Sequence, residues 1–144
     1  MTAAMQYAET HALMKEDDYG YNGWEDDCAW NATKGKVNVT AIHAVTPNNS
    51  TQLLAAIAQG PVSVAIDADC DAFQYYQDGV FDGFGCGTDL DHGVTITGYD
   101  IDMGYYEVKN SWGDWGDGGY IQIAITEGEG TCGIQKEPVW PETN

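Results

Sequence analysis

The residues best placed to do chemistry lie in Leu90-Asp91-His92-Gly93-Val94-Thr95-Ile96-Thr97-Gly98-Tyr99 and in Tyr106-Glu107-Val108-Lys109-Asn110-Ser111-Trp112-Gly113. Both segments read as strands, and a hairpin turning near Ile101 and Asp102 brings His92 opposite Asn110 to within about a residue. Directly opposed residues on paired strands project from one face, with Cβ atoms about 5 Å apart. An asparagine oxygen can then accept from one imidazole nitrogen and fix the ring, leaving the other nitrogen for a reacting group. That is the base-and-orienter half of a nucleophilic triad. The same residues also suit a polar hairpin with a histidine at the core edge, and pattern alone leaves both readings open.

Several elements must position this pair. Residues 2–14 carry Met5, Ala8 and Ala12 near one helical stripe. Residues 15–36 form a long acidic and aromatic connection, of the kind that is functional or supported by a neighbouring surface. Residues 37–45 read as a strand, and Asn49-Ser50-Thr51 caps a helix that Gly60-Pro61 ends. Val62, Val64 and Ile66 alternate as a half-buried strand. Residues 73–79 read as a short helix or turn and 79–87 as a glycine-rich loop. Three further strands fall at 93–99, 105–111 and 119–125. Strands crowded into the second half predict an α+β chain with an antiparallel barrel or curled sheet. The first helix has no strand or cap before it, so residues 1–15 are expected to be the end of a helix from a preceding half. Residues 16–144 would form the barrel-like domain.

Composition narrows the function classes. The 144 residues hold five lysines, no arginine and 23 Asp plus Glu, for a formal charge of −18. Phosphate backbones and anionic lipid both need a basic footprint, so nucleic-acid and membrane-surface binding are poor first readings. No apolar run approaches the roughly 18 residues of a membrane span. With 43% hydrophobic and only 19% charged residues, the chain is nonetheless built to fold. Asn-x-Ser/Thr glycosylation acceptors at Asn31, Asn38, Asn48 and Asn49, together with four cysteines, suit an oxidising, secretory setting. The cysteine positions alone allow three disulfide connectivities.

Other motifs fall away. Asp67, Asp69 and Asp71 occupy positions 1, 3 and 5 of a calcium loop, but Ala72 stands where the turn glycine belongs and Asp78 where the bidentate glutamate belongs. Gly83-Phe84-Gly85-Cys86-Gly87 opens no helix, so it does not cradle phosphate. Cys86 and His92 lack the further ligands of a zinc site. No metal or cofactor is expected.

The block Asp91-His92-Gly93-Val94, the run Lys109-Asn110-Ser111-Trp112-Gly113 and the segment Trp115-Gly116-Asp117-Gly118-Gly119-Tyr120-Ile121 resemble the C-terminal domain of papain-family cysteine proteases. Gly60-Pro61-Val62-Ser63-Val64-Ala65-Ile66 and Phe73-Gln74-Tyr75-Tyr76-Gln77-Asp78-Gly79-Val80-Phe81 extend the resemblance, as does Cys132-Gly133-Ile134. It implies the C-terminal half of the papain-like fold, with the N-terminal helix as a remnant of the other half. His92 would be the catalytic base, Asn110 its orienting residue, and Trp112 a shield over their hydrogen bond and a wall of the leaving-group side. Ala65, Leu90, Gly93 and Glu137 would line the pocket for the side chain before the scissile residue. Glu137 would admit Lys or Arg there, or else point to solvent. Cys86 and Cys132 would pair. Cys28 matches a cysteine whose partner lies in the N-terminal half, and Cys70 has no counterpart. The sequence departs from the family between Trp112-Gly113 and Trp115-Gly116, where only Asp114 intervenes, one residue fewer than usual.

The family's nucleophile sits in a Cys-Gly-Ser/Ala-Cys-Trp/Tyr context, with the histidine and asparagine about 130–150 residues downstream. Counting back from His92 and Asn110 lands roughly 40 residues before Met1. None of the four cysteines has that context, and the carboxylates around Cys70 argue against a replacement there. The resemblance therefore implies one chain of a cysteine peptidase acting on peptide or protein substrates. Its nucleophile would lie on an upstream segment or a separate N-terminal chain, with Cys28 either tethered to that chain or unpaired. This chain alone would be inactive. An acidic compartment, lysosomal or vacuolar, or secretion fits the charge. An inactive protease-derived glycoprotein with a binding or structural assembly role is the alternative.

Overall fold

The computed structural model describes residues 1–144. They divide into two compact units, residues 1–43 with 141–144 and residues 44–140.

In the first unit, helix α1 (Thr2–Thr10) ends four residues short of the expected span. His11 turns extended at φ −127°, and Leu13 gives its backbone to a bridge with Val37. Its N–H donates to Val37 O and its carbonyl accepts from Lys36 N, so tertiary pairing overrides helical periodicity. Tyr7 stacks on His11, whose ring meets Trp30 edge-on, and Trp30 Nε1 donates to Ala12 O. Strand β1 (Val39–Ala44) runs out of this unit, and Thr40 Oγ1 there donates to Glu142 O.

The second unit carries helix α2 (Ser50–Ile57), strand β2 (Val62–Ile66) and the single-turn helix α3 (Asp71–Gln74). Strands β3 (Val80–Phe81), β4 (His92–Asp100), β5 (Tyr105–Lys109), β6 (Tyr120–Ala124) and β7 (Val139–Thr143) follow, the last entering through Val139. Asn49 caps α2 through its side-chain oxygen, which accepts from Gln52 N at 2.9 Å. The strand order is β7-β2-β4-β5-β6-β3. The class is α+β, as the patterning predicts, but the sheet is open. Its β3 edge pairs parallel with β6, because the 79–87 loop returns along β6 in the same direction.

Alternating burial along β2, β5 and β6 puts Val62, Val64, Ile66, Tyr106, Val108, Ile121 and Ile123 into one core with Phe73, Ile96 and Ile134. The core also buries a satisfied polar pair. Tyr106 Oη donates to Gln135 Oε1 at 2.8 Å, and Gln135 Nε2 donates to Thr126 O and Gly128 O. Burial, with the charge of Glu127, pushes the Tyr106 phenol well above its ordinary range. Tyr106→Phe is expected to destabilise by about 1–3 kcal/mol, because it leaves the fully buried Gln135 oxygen without a donor. Chemical denaturation midpoints at unchanged m-value check this.

Candidate active site

His92 opens β4 and faces Ile66 of β2. On its other side β4 pairs with β5 through Thr95↔Lys109 and Ile96↔Val108, a register that continues to place Val94 across from Asn110. His92 and Asn110 are therefore diagonal neighbours, one pair further apart than the hairpin count predicts. They still share a face, because the offset is two residues and the side-chain period of a strand is two. A bulge between Ile96 and Gly98 sets this, with Thr97 as the extra residue. Thr97 Oγ1 holds the bulge by donating to Glu107.

The pair meets directly, His92 Nε2 to Asn110 Oδ1 at 2.8 Å. Ser111 N donates to the same oxygen at 2.8 Å, which fixes that atom as the acceptor. The imidazole nitrogen must then carry the proton, and Nδ1 is left to take or give one. Asn110 is buried, and its Nδ2 finds no partner. Trp112 stacks on the imidazole, its centroid 4.9 Å from that of His92 at 29°. Behind it, Phe73 and Trp115 form an aromatic block, Trp112 to Trp115 at 5.3 Å and Phe73 to Trp112 at 5.7 Å. Trp115 Nε1 donates to Gln74 O at 2.8 Å. Within the short Trp112–Trp115 connection Gly113 takes φ +66°, and Gly116 directly follows it. Gly116 sits at φ +61°, where a Cβ would lie 2.5 Å from Tyr120 O.

Beside this pair opens a cleft of about 510 Å³, lined by Ala68, Asp69, Gln74, Tyr75, Asp91, His92 and Trp112. Asp91 anchors its wall, since its Oδ1 accepts from Ala68 N at 2.9 Å. Sequence reasoning gave Gln74, Tyr75 and Asp91 no site role of their own and weighed Asp69 only as part of a discarded calcium loop. Only the position of Asp91 next to His92 hinted at them. Asp67, Asp69 and Asp91 bring carboxylate oxygens within 4.8 Å of one another. The charge of Asp67 foremost, then desolvation and the charge of Asp91, raises the Asp69 carboxyl above its ordinary value. A carboxyl raised on folding favours the native state fully below its unfolded value, about 3.9, and loses that contribution as pH climbs through the folded value. Asp69→Asn is accordingly expected to raise Tm near about pH 7 and to leave it unchanged near about pH 3, read by thermal melts.

None of the remaining candidates lines this cleft. Ala65 pairs with Gly93 across β2–β4, and a side chain at Gly93 would meet nothing within 4 Å. Glu137 is exposed, two residues before Val139, which pairs with Ser63. Leu90 packs so close to Gly133 that a Cβ there would lie 2.9 Å from Leu90 Cδ2. Cys86 and Cys132 form a disulfide with Cα atoms 5.2 Å apart. Cys70 is a free, half-buried thiol. In the first unit the free Cys28 borders an apolar hollow of about 300 Å³ with Tyr7, Leu13, Met14, Tyr19 and Trp30. Asn31 is exposed and caps the 3₁₀ turn Ala32–Lys34, and Asn48 is exposed, while Asn38 and Asn49 are half-buried.

An α+β sheet carrying a fixed imidazole–amide pair under a tryptophan is an arrangement suited to acyl transfer by a paired nucleophile. Residues 1–142 match the model of the papain family cysteine proteases, and the chain belongs to that family. It is 46% identical over 135 residues to the KDEL-tailed cysteine endopeptidase CEP2 of Arabidopsis thaliana, covering 90% of this chain and 37% of that protein. The Carica candamarcensis cysteine protease CMS1MS2, solved in complex with E-64, superposes with a TM-score of 0.87 at 38% identity. That match covers 96% of this chain and 65% of that one. The bromelain protease of Ananas comosus, also solved with E-64, gives 0.87 at 34% identity, covering 96% and 66%. The chain spans well under half the length of curated relatives such as CEP2.

Proposed function

We propose that this chain supplies the base-and-orienter half of a cysteine peptidase site, and that the nucleophilic thiol is carried by polypeptide outside this sequence. The carrying observation is the 2.8 Å His92 Nε2–Asn110 Oδ1 bond beneath Trp112. With Nε2 held, Nδ1 is the atom that pairs with an incoming thiol. The thiolate attacks the scissile carbonyl, the His92 imidazolium protonates the departing amine, and water then hydrolyses the thioester. Asn110 keeps the ring in one orientation through both transfers, and Trp112 keeps water from their bond. The cysteines of this chain suit other work: Cys86 and Cys132 are bridged, Cys70 lies against that bridge, and Cys28 follows Asp26 and Asp27.

The leaving-group side is the cleft walled by Trp112. The residue before the scissile one would sit over the small pair Ala65 and Gly93, with Leu90 as an apolar wall and Glu137 as the charge that favours Lys or Arg. Cys28 would tether the nucleophile-bearing segment. Residues 1–15 would then belong with that preceding half, and residues 16–144 would form the C-terminal domain. The disulfide, the exposed acceptors Asn31 and Asn48 and the charge of −18 support a secreted or vacuolar, acidic setting.

Intact mass of native material, non-reduced and reduced, followed by labelling with a substoichiometric thiol-alkylating reagent, tests this reading. The expected result is a fragment released on reduction, with the label on a cysteine in a Cys-Gly-x-Cys-Trp-like peptide. Label on Cys28 or Cys70 would place the nucleophile in this chain and overturn the proposal. A native mass equal to this chain alone, with no label taken up, would favour a binding or structural role.

A further inference from the structure

We propose that Cys70 is an exchange thiol for the Cys86–Cys132 bridge, so that the molecule interconverts between Cys86–Cys132 and Cys70–Cys86 disulfides. The observation is a contact between three sulfurs: Cys70 Sγ lies 3.4 Å from Cys86 Sγ, itself bonded to Cys132. Exchange proceeds by attack of a thiolate on a disulfide sulfur, and here the attacking and attacked sulfurs are already in contact. The contact and not the acidity of the thiol carries the step: the carboxylates around Cys70 argue against it as a peptidase nucleophile, but once deprotonated it attacks the adjacent Cys86 Sγ and the Cys70–Cys86 bond forms. The Cys86–Cys132 bond breaks, its electron pair leaves on Cys132 Sγ, and that thiolate takes up a proton. One disulfide is exchanged for another, so neither oxidant nor reductant is consumed.

The surrounding backbone favours the step. Cys86 sits between Gly85, at φ +80°, and Gly87, and Gly83 at φ +87° precedes them, so glycines on both sides let the backbone bring the central sulfur against Cys70. A Cβ at Gly85 would lie 3.8 Å from Cys70 Cβ, so the two chain segments already touch. Cys132 is held at φ +52°, a left-handed conformation costly for a residue with a side chain, and release of its sulfur frees that turn to relax. Asp67 N bonds Cys132 O at 2.9 Å, which keeps the third sulfur within reach for the reverse step.

The exchange bears on the cleft because Cys70 lies in the segment that supplies Ala68, Asp69, Gln74 and Tyr75 to its wall. A Cys86–Cys132 bridge ties the glycine loop to the turn at 131–133. A Cys70–Cys86 bridge ties it to the cleft wall instead. The reaction depends on the three sulfurs alone and not on what the cleft binds, so it stands or falls separately from the peptidase reading.

The full chain is incubated in a Cys28→Ala background at about pH 8 without added thiol. It is then quenched in acid, capped with N-ethylmaleimide and digested unreduced with pepsin for mass mapping. The expected result is two bridged species, both containing Cys86, with populations within about tenfold of each other. The cap should fall on Cys132 in one and on Cys70 in the other. Adding Cys70→Ser should leave Cys86–Cys132 as the single bridge. With Cys132→Ser, a glutathione redox buffer should drive formation of Cys70–Cys86. A cap found on Cys70 alone, with the Cys70–Cys86 bridge below about one molecule in a hundred, would overturn the proposal. The first chain decides the matter even where the Cys132→Ser variant does not fold.

Discussion

On the proposed peptidase reading, His92→Ala is expected to lower kcat/KM of the complete enzyme by roughly 10³- to 10⁴-fold, about 4–5.5 kcal/mol of transition-state stabilisation. The loss falls on kcat, since proton transfer to the leaving amine occurs only in the transition state. Thermal stability should change by under about 1 kcal/mol, because the half-buried ring contributes one hydrogen bond and one stacking contact. Asn110→Ala is the milder companion. It leaves the imidazole in place but unfixed, and misplacement on the scale of an ångström costs roughly 10²-fold. Steady-state kinetics on both variants checks the order. Retention of more than about a tenth of activity by His92→Ala would remove it from the base role.

Phe73→Ala should give the largest stability loss, about 3–5 kcal/mol. Phe73 is fully buried and meets Phe81, Trp112 and Trp115 with ring centroids 5.9, 5.7 and 5.1 Å away. Truncation opens a cavity beneath the two tryptophans that rigid strands on either side cannot close. For a chain of this size the loss corresponds to a Tm decrease of roughly 6–20 °C. Near-UV circular dichroism should also weaken, as Trp112 and Trp115 lose the ring that orders them. A loss below about 1 kcal/mol would mean that the block collapses onto itself, and that Trp112 is held by Trp115 instead.

Much of this protein was legible in its residues. Alternation marks β2, β4, β5 and β6 because each presents one face to the core and one to solvent, and that physics is local. Asn49 is readable as a cap for the same reason: its oxygen serves an N–H three residues on. The resemblance carried by the His92, Asn110 and Trp112 segments points to the family to which the chain belongs. Neither the end of α1 at Thr10 nor the parallel edge of β3 was legible. Each depends on a partner distant in sequence, Val37 for Leu13 and β6 for β3.

The tertiary structure alone decided how the site closes. An unbulged hairpin extended from Asp100↔Tyr105 would set Asn110 across from Thr95, whose side chain faces away from His92. Thr97, taken up as an extra residue, shifts the register by one and turns Asn110 onto the histidine's face. The types of the candidate site residues are written in the sequence because the proposed chemistry requires them. Their meeting at 2.8 Å is a matter of register, which is set where strands pair and not where residues are spelled.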